Sequence, residues 1–179
     1  MTPTVIDTNV LLVANARHPE VSPECVMACV ERLTEIQKQG VVVVDDAWRI
    51  VGEYRHKTSP NQPKGVGDVF LKWLMQNLSN QQRVHLVALT ETTPDCFREF
   101  PAPALEAAFD PPDRKFAAVS HAHPDKHKPP VLQAADCKWL DWWPELHAAG
   151  VHVEFVCRDD VRRFYRGKFP DRKPPELPD

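Results

Sequence analysis

Apolar positions fall into two alternating patterns along the chain. Short β-branched runs with no polar interruption read as strands buried on both faces, and longer stretches with apolar residues three and four apart read as amphipathic helices. Val5-Ile6 forms the first run and ends at Asp7-Thr8-Asn9. Ser22-Pro23-Glu24 then offers a helix cap, a proline at the first helical position and an acid in the first turn; Val26, Val30, Leu33 and Ile36 follow at helical spacing up to Gly40. Val41 to Val44 is a second strand, and Asp45 and Asp46 can cap a helix reaching about Lys57. The proline- and glycine-containing segment Thr58 to Gly67 reads as a loop. Asp68 is expected to cap a helix with the stripe Phe70, Trp73, Leu74, Asn77 and Leu78. Val84 to Leu89 is the third strand candidate.

Prolines punctuate the second half. Thr90 to Ala108 has room for one or two short helical turns only. A helix opens at Asp110-Pro111-Pro112-Asp113 and runs toward His121, and Val131 to Ala135 is a fourth strand. With Asp141 as cap, a helix over Trp142 to Ala149 keeps Pro144 in its first turn, where the missing N–H costs nothing. Gly150 ends that helix, Val151 to Val156 is a fifth strand, and Asp159 or Asp160 can cap a last short helix to about Gly167. Strands separated by helices predict an α/β sandwich with a parallel sheet in one domain over residues 1–167. A proline-rich tail, 168–179, is disordered or laid on the surface.

Composition narrows the function classes. With 179 residues, 42% hydrophobic and 26% charged, the chain can bury one good core. It has no apolar stretch long enough for a membrane span and no visible secretory leader, so a cytoplasmic, membrane-free protein is expected. Five cysteines without CxxC spacing suit reduced thiols, with Cys25 and Cys29 as small core residues. A net charge of −3 gives no global basic signature, so nucleic-acid binding would need local patches or metal ions.

Acids sit where strands end. Asp7 follows the first strand, Asp45 and Asp46 the second, and Asp136 the fourth; Asp113 lies in the first turn of its helix. Glu53, two turns into the helix after the second strand, reaches the same edge if that helix crosses it obliquely. Ligands in open α/β sheets collect at the carboxyl edge. Carboxylates gathered there repel one another unless a divalent cation is bound, and an all-oxygen set suits Mg²⁺ or Mn²⁺. Such ions polarise a phosphodiester and lower the pKa of the attacking water.

Asp7-Thr8-Asn9 at the first strand end, Glu53 in the next helix, Asp113 opening Asp-Arg-Lys-Phe-Ala-Ala, and Asp136 leading into a helix, a glycine and a last strand resemble the PIN-domain nucleases over residues 3 to 157. The resemblance implies a five-stranded parallel sheet in the order 3-2-1-4-5 flanked by helices as a three-layer sandwich. It implies Mg²⁺ or Mn²⁺ held by Asp7, Glu53, Asp113 and Asp136, and endonucleolytic cleavage of single-stranded or structured RNA, as in the toxin half of a toxin–antitoxin pair. An antitoxin-type protein is then a partner, and a homodimer is compatible. Asn9 is similar to the polar residue that orients the first aspartate. Ala135 and Trp139 stand where many members carry a hydroxyl and a further acid; a catalytically inactive PIN-like module that binds RNA or protein is therefore the alternative.

Several neighbours invite other readings. Arg114 and Lys115, with Lys126 and Lys128, can hold phosphates beside Asp113, as Arg55, His56, Lys57 and Lys64 can beside Glu53; the simpler reading is surface solvation. His121, His123 and His127 lack a firm fourth zinc ligand. Trp139, Trp142 and Trp143 can stack on bases, but core packing suits at least two of them. An aspartyl-phosphate phosphatase would want an acid where Asn9 stands, and a receiver domain would want a late strand-end lysine that is absent.

Overall fold

The structure is a computed structural model that describes residues 2–179. In chain order its elements are β1 (Pro3–Ile6), α1 (Thr8–Ala14), α2 (Pro23–Gln39), β2 (Val41–Asp45), α3 (Arg49–Lys57), α4 (Val66–Gln76) and β3 (Val84–Val87). A hairpin of β4 (Glu91–Thr93) and β5 (Cys96–Phe97) follows, then α5 (Pro103–Glu106) and a 3-10 turn over Pro111–Asp113. Next come α6 (Arg114–Ala122), β6 (Val131–Gln133), α7 (Trp139–Ala148), β7 (Val153–Phe155) and α8 (Arg158–Lys168).

The main sheet is five-stranded and all-parallel in the order β3-β2-β1-β6-β7, the expected order once the two hairpin strands are counted. Helices flank it in a three-layer α/β sandwich: α1, α2 and α4 pack together, while α6 packs on β1 and β2 beside α3. The run Val41–Val44 is buried throughout because helices cover both faces of β2. Each such side chain taken out of water contributes about 1.5–3 kcal/mol. Gly67 lets α4 approach α1, since a Cβ there would meet the Leu11 carbonyl. Among the described residues no helix is long and apolar enough to cross a membrane.

Local signals explain most element ends. Ser22 accepts the Cys25 N–H at 3.2 Å and caps α2, and Gly40 closes it. Arg83 ties that end down, donating to the carbonyls of Gly40 at 3.1 Å, Ile36 at 3.2 Å and Gln37 at 2.6 Å. A cation there suits the negative end of the helix dipole. Gly150, at φ +87°, supplies the left-handed turn between α7 and β7.

Four expectations need correction. The segment Thr90 to Ala108 holds the β4–β5 hairpin as well as a short helix. Asp68 is not the cap of α4: it lies in the first turn, fully buried, accepting from the Asn15 amide, the Ser59 N–H and the Lys64 N–H. Helix α7 begins at Trp139, so Pro144 is inside it, and Asp141 accepts from the Tyr165 hydroxyl and Arg172 instead of capping. Finally, Cys25 and Cys157 form a disulfide across 132 residues, with the buried Cys29 sulfur 3.8 Å from that of Cys157. No spacing rule signals this pair, because α2 and α8 meet only in the folded chain.

Residues 169–179 run over the surface, where Glu176 O accepts from Trp143 Nε1 at 3.0 Å and Leu177 joins the core. Trp139 and Trp142 are buried against Phe109, as core packing required.

Candidate active site

Adjacent strands β1 and β6 run parallel, so their carboxyl ends open on the same edge. Asp7 extends the ladder by donating its N–H to Leu132 O at 2.9 Å, and its Oδ1 accepts the Asn9 N–H at 2.8 Å as the N-cap of α1. The contact that caps α1 is also what fixes the direction of the Asp7 carboxylate. Asn9 reaches the other way: its Oδ1 accepts the Ala135 N–H at 3.0 Å, pinning the β6–α7 turn that carries Asp136. Asp136 in turn accepts the Lys138 N–H at 3.1 Å.

Glu53 arrives from the opposite side of β1. Asp45, with no exposed surface, caps α3 by accepting the N–H groups of Arg49 at 2.9 Å and Ile50 at 2.8 Å. One residue past Glu53, the Tyr54 hydroxyl donates to the Ile6 carbonyl; burial first, then the nearby acids, keep that phenol well above its usual pKa and hence protonated. So pinned, α3 brings Glu53 within 2.5 Å of the Thr8 hydroxyl, which donates to Oε1. Oε2 accepts from Lys115 Nζ, which also donates to Pro112 O. Asp113 comes from the 3-10 turn ahead of α6.

All four expected acids thus come from separate segments and act on one another. Burial, with Asp136 and Glu53 adding repulsion, pushes the Asp7 carboxyl up to about 7 against the opposing Asn9 N–H and Lys115. Burial, then Asp7 and Asp136, push Asp113 up to about 8. Asp136 is raised by burial and relieved by the Lys138 N–H, Lys168 and His18. Near neutral pH burial first, then repulsion between the acids, favours the protonated forms of Asp7 and Asp113. Its donors are all carboxylate oxygens, the set that suits a hard divalent cation. Among the described residues, no three of these acids hold oxygens within 4.8 Å of one another. The three buried cysteines are the one close group of potential ligands among the described residues, and two of them are joined as a disulfide.

The expected phosphate contacts divide. Arg114, only 9% exposed, turns inward, donating from Nε to Phe109 O at 3.1 Å and contacting Cys96 Sγ at 3.2 Å. It braces the turn that carries Asp113 and is withdrawn from solvent. Lys115 faces the acids themselves. Arg55, His56, Lys57 and Lys64 remain exposed. The histidines do not converge: His121 contacts Glu99 O at 2.8 Å, His123 pairs with His85 at 2.9 Å, and His127 is exposed.

Beside Asp136 and Asn9 opens a cleft of about 870 Å³ whose far wall includes His18, Arg163, Phe164 and Lys168. Those four were not singled out from sequence. The signal was present: α8 carries Arg158, Arg162, Arg163, Arg166 and Lys168 in eleven residues, dense enough to mark one helix as cationic in a chain of net negative charge.

No family model matches the chain, and neither a curated protein nor a solved structure matches it.

Proposed function

We propose that the protein is a metal-dependent endoribonuclease of PIN type, working in the cytoplasm on single-stranded or structured RNA. The observation that carries this reading is the convergence of Asp7, Glu53, Asp113 and Asp136 on one sheet edge, with the protons of Asp7 and Asp113 held up to about pH 7 and 8. Asp7, Asp113 and Asp136 would hold Mg²⁺ or Mn²⁺, with Glu53 beside them. When bound, the ion would supply Lewis-acid activation of the scissile phosphodiester and of the attacking water.

The chain's own residues do the rest. Asn9 and Thr8 orient the carboxylates, and Tyr54 and Asp45 hold α3 so that Glu53 faces β1. Arg163 and Lys168, across the cleft from Asp136, offset the repulsion between an acidic site and a polyanionic backbone. Phe164, which stacks on His18 with ring centroids 5.5 Å apart and lies under the Arg163 guanidinium at 4.6 Å, lines the same cleft.

Purified protein incubated with RNA and Mn²⁺ or Mg²⁺ is expected to give internal cleavage that EDTA abolishes and Asp7→Asn reduces by at least a hundredfold. Undiminished cleavage by Asp7→Asn sinks the reading. One observation favours a second version, in which the same edge binds RNA or protein without cutting: both Glu53 oxygens are taken by protein donors. RNA retained on the protein in EDTA, with no cleavage in any ion, would select that version.

A further inference from the structure

We infer that Cys25, Cys29 and Cys157, once the disulfide is reduced, form a three-sulfur site for Cu(I) between α2 and α8. The inference goes beyond the nuclease reading and does not depend on it. The three sulfurs lie within 4.8 Å of one another, with Cys29 Sγ 3.8 Å from Cys157 Sγ. A metal–sulfur bond of about 2.3 Å sets the sulfurs of a trigonal site about 4 Å apart, so the main movement required is the parting of the Cys25 and Cys157 sulfurs. Cys25 and Cys29 stand one turn apart on α2, and Cys157 occupies the N-cap position of α8 without using its side chain as a cap.

Soft thiolates select Cu(I) or Zn²⁺, and the surroundings decide between them. Zinc completes a tetrahedron, with a fourth side chain or a water. Among the described residues no histidine, acid or further cysteine joins this group, and exposures of 3%, 0% and 5% at Cys25, Cys29 and Cys157 leave water no place. Three-coordinate Cu(I) needs neither. Cys25, in the first turn of α2, and Cys157, at the start of α8, meet the positive ends of both helix dipoles, which favour thiolates. Cys29 sits a turn deeper, where burial pushes its thiol up to about 12, so it keeps its proton until a metal displaces it. Reducing compartments keep cysteines as thiols. There a dithiol gives two electrons and two protons to the Cys25–Cys157 bond and itself closes to a disulfide. Cu(I) then forms three Cu–S bonds as three S–H bonds break and their protons pass to solvent. The tie between α2 and α8 is thus a disulfide under oxidising conditions and a metal bridge under reducing ones.

The test is to reduce the full chain with dithiothreitol, desalt it without oxygen and titrate it with Cu(I) against bicinchoninate, with copper-edge X-ray absorption on the product. Reduced wild type is expected to take one Cu(I) with three sulfur neighbours, and the oxidised chain none. Cys29→Ser leaves the Cys25–Cys157 disulfide intact, so it folds as wild type when oxidised. Outer-shell changes cost about 10–100-fold in metal affinity, so reduced Cys29→Ser, which loses a ligand, should bind at least about a hundredfold more weakly. Cys96→Ser and Cys137→Ser, whose thiols lie outside the group, should bind as wild type does. Wild-type affinity in Cys29→Ser, no stoichiometric Cu(I) on reduced wild type, or equal binding by the oxidised chain overturns the site. A nitrogen or oxygen neighbour in the absorption spectrum overturns the three-sulfur geometry. If the reduced chain loses its helical circular dichroism, one equivalent of Cu(I) should restore it in wild type and not in Cys29→Ser; failure to restore it overturns the site. RNA cleavage is read in no arm, so each of these outcomes leaves the nuclease reading where it stands.

Discussion

Replacing Asp7 by Asn is expected to make the metal-free protein more stable in alkali, the reverse of what losing a buried polar contact would do. The substitution keeps an oxygen to accept the Asn9 N–H at 2.8 Å, so the cap of α1 survives while the charge is removed. In the folded chain the Asp7 carboxyl titrates at about 7 against an ordinary value of 3.8. A group whose pKa is raised by folding stabilises the fold while it is protonated, and that stability is lost as pH rises through the folded value. The difference of about 3 pH units corresponds to about 4 kcal/mol between pH 4 and pH 8, as an upper bound. For a chain of this size that is roughly 10 °C in melting midpoint. Asp7 is only 5% exposed, so water does little to screen the effect. Thermal melts in EDTA from pH 5 to 8 should show wild type falling as pH rises and Asp7→Asn falling much less. Adding Mn²⁺ at pH 8 should reverse the order, since an ion at a hundred times its Kd adds about 2.7 kcal/mol to the wild type alone. If Asp7→Asn is no more stable than wild type at pH 8 in EDTA, or if the gap ignores pH, the account of a charge-starved cluster is wrong.

Two further outcomes follow from the same contacts. Reduction with dithiothreitol, or Cys25→Ser, should lower stability by about 2–5 kcal/mol through loss of the link to Cys157, while Cys29→Ser should change it far less; denaturant melts with and without reductant check both. Asp45→Ala should cost about 1–3 kcal/mol by leaving the Arg49 and Ile50 N–H groups buried and unpaired, and should lower RNA cleavage more than it lowers RNA binding, because it loosens the helix that presents Glu53.

The features legible in the sequence are those whose cause is local. Val41 to Val44 reads as a strand because burial on both faces demands an unbroken apolar run, and Ser22-Pro23-Glu24 reads as a helix start because cap, ring and acid each act within one turn. The acids were legible for a related reason: a parallel sheet puts strand ends on common edges, so Asp7 and Asp136 follow from the strand pattern. Features fixed by distant partners were not legible. Asp141 looks like a cap until Tyr165 and Arg172 arrive from α8 and the tail. Arg114 and Lys115, adjacent and both basic, are sent inward to different acceptors by the pitch of α6, and only the fold distinguishes them. The β4–β5 hairpin is short and its first strand exposed, so no alternation of apolar residues marks it.

The strand order also bears on how the chain is made. β1 is synthesised first yet occupies the centre of the sheet. One of its edges can pair once Val41 and Val42 have emerged, but the other must wait for Val131 and Leu132. Val5 and Ile6 therefore belong to an unfinished edge until β6 has emerged, in a parallel topology whose distant pairings form slowly. Asp7 is chained to this delay. The candidate site comes into being only when the segments from β1 to the β6–α7 turn have all emerged, so a chain truncated before Asp136 would carry none of it complete.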